Sequence, residues 1–444
     1  DLANYPRDRN FDHQHMLLVV DIPDVETAAF NARCVWTVEA IGRPQTRLVF
    51  DARATMRFSS VTSGGEPCTF THASDLLTID LPRPAVPGKP VRVEMRYAAE
   101  KPYGSLGGFL GPTGLSWFKT RPGRERLGAQ IYSQGQAQWN SFWFPCHDFP
   151  NERVTSELVV TVQDPYRVVS NGKLVSVART GERSTYHWRQ DKPHATYVVS
   201  LVVGLFDVVT LGGPGSKRPG LEMPVYAPVG AGEAARVSLG NTPEMIRYLE
   251  QVLDEPYPWD KYAQTLVRNM PGGMENTSAT TMGEFAARSG PGGVDDLVVH
   301  ELIHQWFGDL MTCRTWAHLW LNEGWATYGE HLWAEHQGGE AGYLDAVSNA
   351  RRRFVARNRA TLPKDVPMVS NRYSSPEDVF AKTDDVYAKG GVVLHALRAR
   401  LGDEAFFKGV RAYIDLHKFG VVETDDFRNA MEDASGQSLE RFFH

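Results

Sequence analysis

Cysteine is scarce: four in 444 residues. Cys34, Cys68, Cys146 and Cys313 are too few for a disulfide framework and lack metal-ligand spacing; a Cys34 to Cys68 bridge is allowed but not expected. No run of eighteen apolar residues occurs, so nothing reads as a membrane-spanning helix. The N-terminus has no charged-then-apolar leader, which points to the cytoplasm. A chain that begins at Asp1 still leaves a removed leader, and a secreted or periplasmic place, open. No block of like charges occurs either. The 47 Lys and Arg against 53 Asp and Glu give a net charge of −6 with the signs interspersed, which argues against a nucleic-acid partner or a membrane-surface patch. Internal repeats and low-complexity stretches are also missing.

What is present is enough apolar material, 42% of the chain, for two domains with sizeable cores. Residues 11 to 100 run in short alternating stretches such as HMLLVVDI, RLVFDA and VRVEMRY, separated by turn residues, the pattern of antiparallel strands. SELVVTV, YRVVSNGKLVSVA and TYVVSLVVGLFDVV continue it, with Asn171-Gly172 as a hairpin signal. Residues 1–210 therefore read as an all-β domain, closed by a Gly/Pro-rich boundary loop at Gly212 to Gly220. Residues 211–444 read as a second domain. It opens with strands MPVYAPV and QTLVRNM around one helix from Glu233 to Leu253. Separate helices then follow near Glu323, from Gly342 to Arg357, Gly390 to Leu401, Asp403 to Lys418 and Asp425 to Ala434. Segregated strands and helices indicate an α+β domain.

The chemistry gathers in Val298 to Glu330. His300, Glu301 and His304 form an H-E-x-x-H run, followed after eighteen residues by Glu323. On a helix, residues four apart share a face, so both imidazoles can reach one cation while Glu301 points toward a water beside it. Two imidazoles half-fill a tetrahedral zinc, and Glu323 is the candidate third ligand. A five-residue match can also be a polar helix turn. Here Leu297, Val298, Val299, Leu302, Ile303, Trp306 and Phe307 surround the trio with apolar residues, and buried His and Glu need partners. Glu301 is placed to take a proton from the water and pass it to the leaving amine. Glu330, two turns after Glu323, is a candidate acceptor for a ligand histidine's second nitrogen. Asp309 and Asn322 are further polar residues that cap or hold backbone.

HELIHQWFGD followed at this distance by LWLNEGWATY resembles the gluzincin zinc aminopeptidases, the group that includes aminopeptidase N and leukotriene hydrolase. GGMEN at Gly272 to Asn276, VYAKGG around Tyr387, QGQA around Gln136 and FPCHDFP at Phe144 to Pro150 match in order, so the resemblance runs from about Asp8 to the last residue. It implies a saddle-like β domain followed by a thermolysin-like catalytic domain, one Zn2+ per chain and peptide substrates with a free N-terminus. Tyr387 would steady the oxyanion. Glu275 and Gln136 would bind the substrate's amine, with Gly272, Gly273, Met274 and Asn276 completing the substrate-binding turn. Gln136 is a glutamate in many relatives, so amine binding would rest more heavily on Glu275. Phe149 stands where relatives often carry Glu or Thr. The sequence stops 57 residues past Tyr387, where larger relatives continue into a helical domain over the cavity; without it the site would be more open. The oligomeric state is not set by the sequence, and a monomer is the working expectation.

Overall fold

The computed structural model describes residues 4–5, 7–104, 113–212, 220–361, 367–382 and 385–443. Its first half is built from three sheets. The largest has eight strands, ordered Lys173–Thr180, Arg183–Ala195, Arg153–Gln163, Phe11–Asp21, Ala29–Ala40, Val91–Glu100, Met56–Ser63 and Glu66–Pro67. Period-two alternation sets its faces: Met16, Leu18 and Val20 are fully buried while the residues between them stay half-buried. Pairing is antiparallel except between Phe11–Asp21 and Arg153–Gln163, which run parallel.

A four-stranded sheet, Arg167–Ser170, Leu201–Gly204, Gln130–Gln134 and Gly114–Phe118, lies between the two cores of the molecule. Ile131 packs into the first core and its neighbour Tyr132 into the second. Alternation along one strand thus joins the halves and delivers Gln136, just beyond it, to the second.

The second half starts from a mixed sheet, Phe206–Thr210, Pro224–Pro228, Ala263–Val267, Ala279–Gly283 and Gly273–Met274. Phe206–Thr210, read from sequence as the last strand of the first domain, pairs here with Pro224–Pro228. Most of the expected boundary loop, residues 213–219, lies outside the described residues.

Other expectations are corrected. Asn171-Gly172 makes no hairpin: Arg167–Ser170 and Lys173–Thr180 belong to different sheets, and the chain passes between them where a Cβ on Gly172 would stand 1.9 Å from Arg189 O. The helix expected from Glu233 to Leu253 is two, Gly232–Ser238 and Thr242–Leu253. Pro243 fits the first turn of the second but would clash inside one continuous helix. The helices expected near Glu323 and at Gly342 to Arg357 are two, as read: the stretch Trp320–Thr361 is interrupted at Gly339, whose φ of +62° and ψ of −156° are not helical. All four cysteines are free. No described helix is long and apolar enough to cross a membrane.

Candidate active site

The helix Asp295–Ile303 carries His300 and Glu301, and His304 caps it with αR backbone. Val298, Val299, Leu302 and Ile303 are buried around them, so the polar residues enter the molecule on an apolar element. Glu323 comes from the first turn of Trp320–Thr361, which packs against that helix. His300 Nε2 lies 3.4 Å and His304 Nε2 3.3 Å from Glu323 Oε2.

The opposite ring nitrogens are committed elsewhere. His304 Nδ1 donates to Phe307 O at 2.9 Å, and His300 Nδ1 to Glu330 Oε1 at 2.8 Å. With both Nδ1 atoms donating, the two Nε2 atoms are left to face one carboxylate oxygen. That buried cluster is satisfied by protons on the rings, where burial opposes the charge and Glu323 favours it, or by a cation that takes the protons' place. His300, His304 and Glu323 offer ligand atoms all within 4.8 Å of one another, a donor set of two imidazole nitrogens and one carboxylate oxygen that fits zinc. Glu330 is the kind of outer acceptor that orients such a ring.

Glu301 is buried beside this cluster. A Cβ on Gly273 would come within 2.2 Å of Glu301 Oε1, so the close approach of the turn to the carboxyl requires glycine there. Burial pushes the Glu301 carboxyl up to about 8, helped by Glu275 and Glu323 and opposed by His300 and His304.

Gln136 Nε2 donates to Glu275 Oε1 at 3.1 Å and to Glu323 Oε1 at 3.3 Å, so the β half of the chain reaches both carboxylates. Burial also raises the Glu275 carboxyl, against the pull of His304. The Tyr387 ring stacks on His300 with centroids 6.1 Å apart. Burial, with the charges of Glu323, Glu275 and Glu301, raises its phenol well above the ordinary range, which keeps it a proton donor.

These groups share one cavity of about 370 Å³, lined by Gln136, Gly272, Gly273, Glu275, His300, Glu301, His304, Glu323, Glu330 and Tyr387, and also by Met270 and Pro271. Met274 and Asn276, expected to bind substrate, do not line it. Met274 is in the core, and Asn276 is fully buried with Nδ2 on Thr281 Oγ1. Alternation explains the difference, since Glu275 faces the cavity and its two neighbours face away. Asp309 and Asn322 are buried and lie off the cavity, and Phe149 packs in the core. Asp296, Leu297 and Arg353 also line the cavity, and none of them reads as a site residue from the sequence. The first two sit four and three residues before His300, a helical spacing that could have marked them. Arg353, beyond the bend at Gly339, left no local signal.

Residues 13–198 match the Peptidase M1 N-terminal domain and residues 237–444 the Peptidase family M1 domain. The chain belongs to peptidase family M1. Curated relatives include Aminopeptidase M1-C of Oryza sativa subsp. japonica, 29% identical over 316 residues, which are 67% of this M1 chain and 34% of the rice protein. Aminopeptidase N of Streptomyces lividans is 29% identical over 327 residues, 70% of this chain and 37% of that one. The chain thus spans about a third of the length of these relatives. A variant of the M1 zinc metallopeptidase of Deinococcus radiodurans bound to a Tyr-Ser-Ala substrate superposes with a TM-score of 0.82 at 26% identity. That match covers 98% of this chain and 93% of the other. A second structure, of the M1 zinc metallopeptidase from the same organism, gives 0.80, covering 97% and 92%.

Proposed function

We propose that this M1 chain is an aminopeptidase that removes the N-terminal residue of peptides, with one zinc per chain held by His300, His304 and Glu323. The supporting observation is that a candidate metal cluster, a buried carboxyl at Glu301 and the linked pair Glu275 and Gln136 line the same cavity. Zinc, when bound, would supply Lewis acidity for the scissile carbonyl and for water. Glu301 takes the proton of the attacking water and returns it to the leaving amine, a task suited to a carboxyl whose burial raises its proton affinity. The Tyr387 phenol donates to the carbonyl oxygen as negative charge develops there. The substrate's ammonium donates to Glu275, and Gln136 offers its amide oxygen beside it. Gly272 and Gly273 leave the turn's backbone open to the substrate's main chain. We also place the division between the two domains near residue 205, since Phe206–Thr210 pairs with the second half.

The test is the rate on a leucyl amide with a free α-amine against its N-acetylated twin, each with and without chelator. Cleavage of the free-amine compound alone, stopped by chelation, is the expected result. Equal cleavage of both would make the chain an endopeptidase. Cleavage of neither under zinc-replete conditions would favour a scaffold that keeps the fold without turnover, or a first-residue preference other than leucine.

A further inference from the structure

We propose that Gln305 is a positioning residue for amine recognition, holding Glu275 in place and acting on substrate only through it. The inference rests on the aminopeptidase reading and adds a residue to it. Gln305 follows His304 and is fully buried, and its amide bonds to groups outside the metal cluster. Nε2 donates to Glu275 O at 3.1 Å. Oε1 accepts from Ser278 N at 2.8 Å and from Tyr257 Oη at 3.2 Å. One amide therefore grips the turn both at Glu275 and three residues later.

That second point matters because Ser278 has φ of +60°, a left-handed conformation a serine does not adopt freely. Something must hold it. Gly172 N donates to Ser278 Oγ at 2.8 Å and Asn171 Nδ2 to Thr277 O at 2.7 Å, both from the β half. Gln305 supplies the hold from the His304 side. The amide can face only one way, because its reverse would set a donor against Ser278 N–H and an acceptor against Glu275 C=O. His304 takes its own orientation from Phe307 O, so the metal donors do not depend on the Gln305 side chain.

Gln305→Met keeps the length of the side chain and removes every bond it makes. Gln305→Glu keeps the acceptors for Ser278 and Tyr257 and removes the donor to Glu275; it carries the test should the methionine variant fail to fold. Both are compared with Glu275→Gln and with the double variant, reading zinc content, KM and kcat on the free-amine amide and the rate on its acetylated twin. We expect zinc content unchanged, KM raised about tenfold and kcat within about threefold, the scale of one lost buried hydrogen bond. The double variant should be no worse than Glu275→Gln alone, since residues acting through one group do not add. Unchanged KM in folded, zinc-loaded variants would overturn the inference. Effects that multiply in the double variant, or a kcat loss tracking lost zinc, would overturn it too. If Glu275→Gln itself leaves KM and the preference for a free amine unchanged, amine binding by Glu275 falls, and this inference with it.

Discussion

A methyl group on Gly273 would lie 2.2 Å from Glu301 Oε1, 2.4 Å from its Cδ and 2.6 Å from its Cγ. The atoms in the way belong to the end of a side chain, which can swing aside, so the cost of adding that methyl falls on chemistry more than on folding. Gly273→Ala should change stability by less than about 1 kcal/mol and lower kcat by about a hundredfold or more, the scale on which a positioned general base contributes. Thermal unfolding and steady-state kinetics on one preparation would check both halves. At this scale the sequence was legible where spacing alone implies geometry: His300, Glu301 and His304 meet because they lie on one helical turn. It was silent on Gln305 and Arg353, whose importance comes from which non-local backbone or cavity they face. For Met274 and Asn276 the motif was legible but the direction of each side chain was not. Within the turn, Gly273–Met274 forms a short strand paired with Ala279–Gly283, and the facing of the side chains depends on that pairing.

Between elements, the distance from Glu323 to Tyr387 is set by a crossing of two helices at glycine. A Cβ on Gly324 would stand 2.9 Å from Gly390 Cα, and one on Gly390 only 2.6 Å from Gly324 Cα. The helices Trp320–Thr361 and Ala388–Leu401 therefore touch backbone to backbone, one residue after Glu323 and three after Tyr387. Here backbone blocks the way and cannot swing aside. Gly390→Ala should cost about 1–3 kcal/mol, as overpacking does, and should lower kcat more than it changes KM, because the phenol moves away from the position proposed for it beside the carbonyl oxygen. Denaturant unfolding together with the KM and kcat split would check it; an unchanged kcat would mean that the crossing does not place Tyr387. Gly390 in VYAKGG was visible as part of a motif, and its contact with Gly324 was not, since the two lie far apart in sequence. The break before Pro243 is missed for a local reason: the apolar rhythm runs through it, while a proline fits only a helix's first turn. The break at Gly339 is legible, since glycines and polar residues interrupt the rhythm there.

Across the whole molecule, the segregation of strands from helices made two domains legible, while the partner of Phe206–Thr210 was not, because strand pairing is a long-range choice. The two halves are pinned by buried polar groups. Arg153, at the start of a β-domain strand, donates to Thr312 Oγ1 and to the carbonyls of Asp309, Gly420 and Pro193. Lys261 is the second pin. It is 3% exposed, donates from Nζ to Ser170 O at 2.7 Å and to Ser278 Oγ at 3.3 Å, and stands 4.8 Å from the Trp188 ring centroid. Ser170 and Trp188 belong to the β half, Lys261 and Ser278 to the other. Burial drives the ammonium's pKa down to about 7, against the opposing charges of Glu222 and Asp260. Since the folded pKa lies below the unfolded one, this group's contribution to stability is complete above about 10.4 and is lost as pH falls toward 7, below which it levels off. Lys261→Met removes the titrating group along with its two hydrogen bonds. The stability difference between wild type and variant should therefore favour the wild type most at about pH 10, and shrink by a few kcal/mol on going to about pH 7. Denaturant unfolding of both proteins across that interval would measure it. A difference independent of pH would mean that the ammonium is solvated or fully compensated at the interface, and that Lys261 joins the two domains as a permanently charged group.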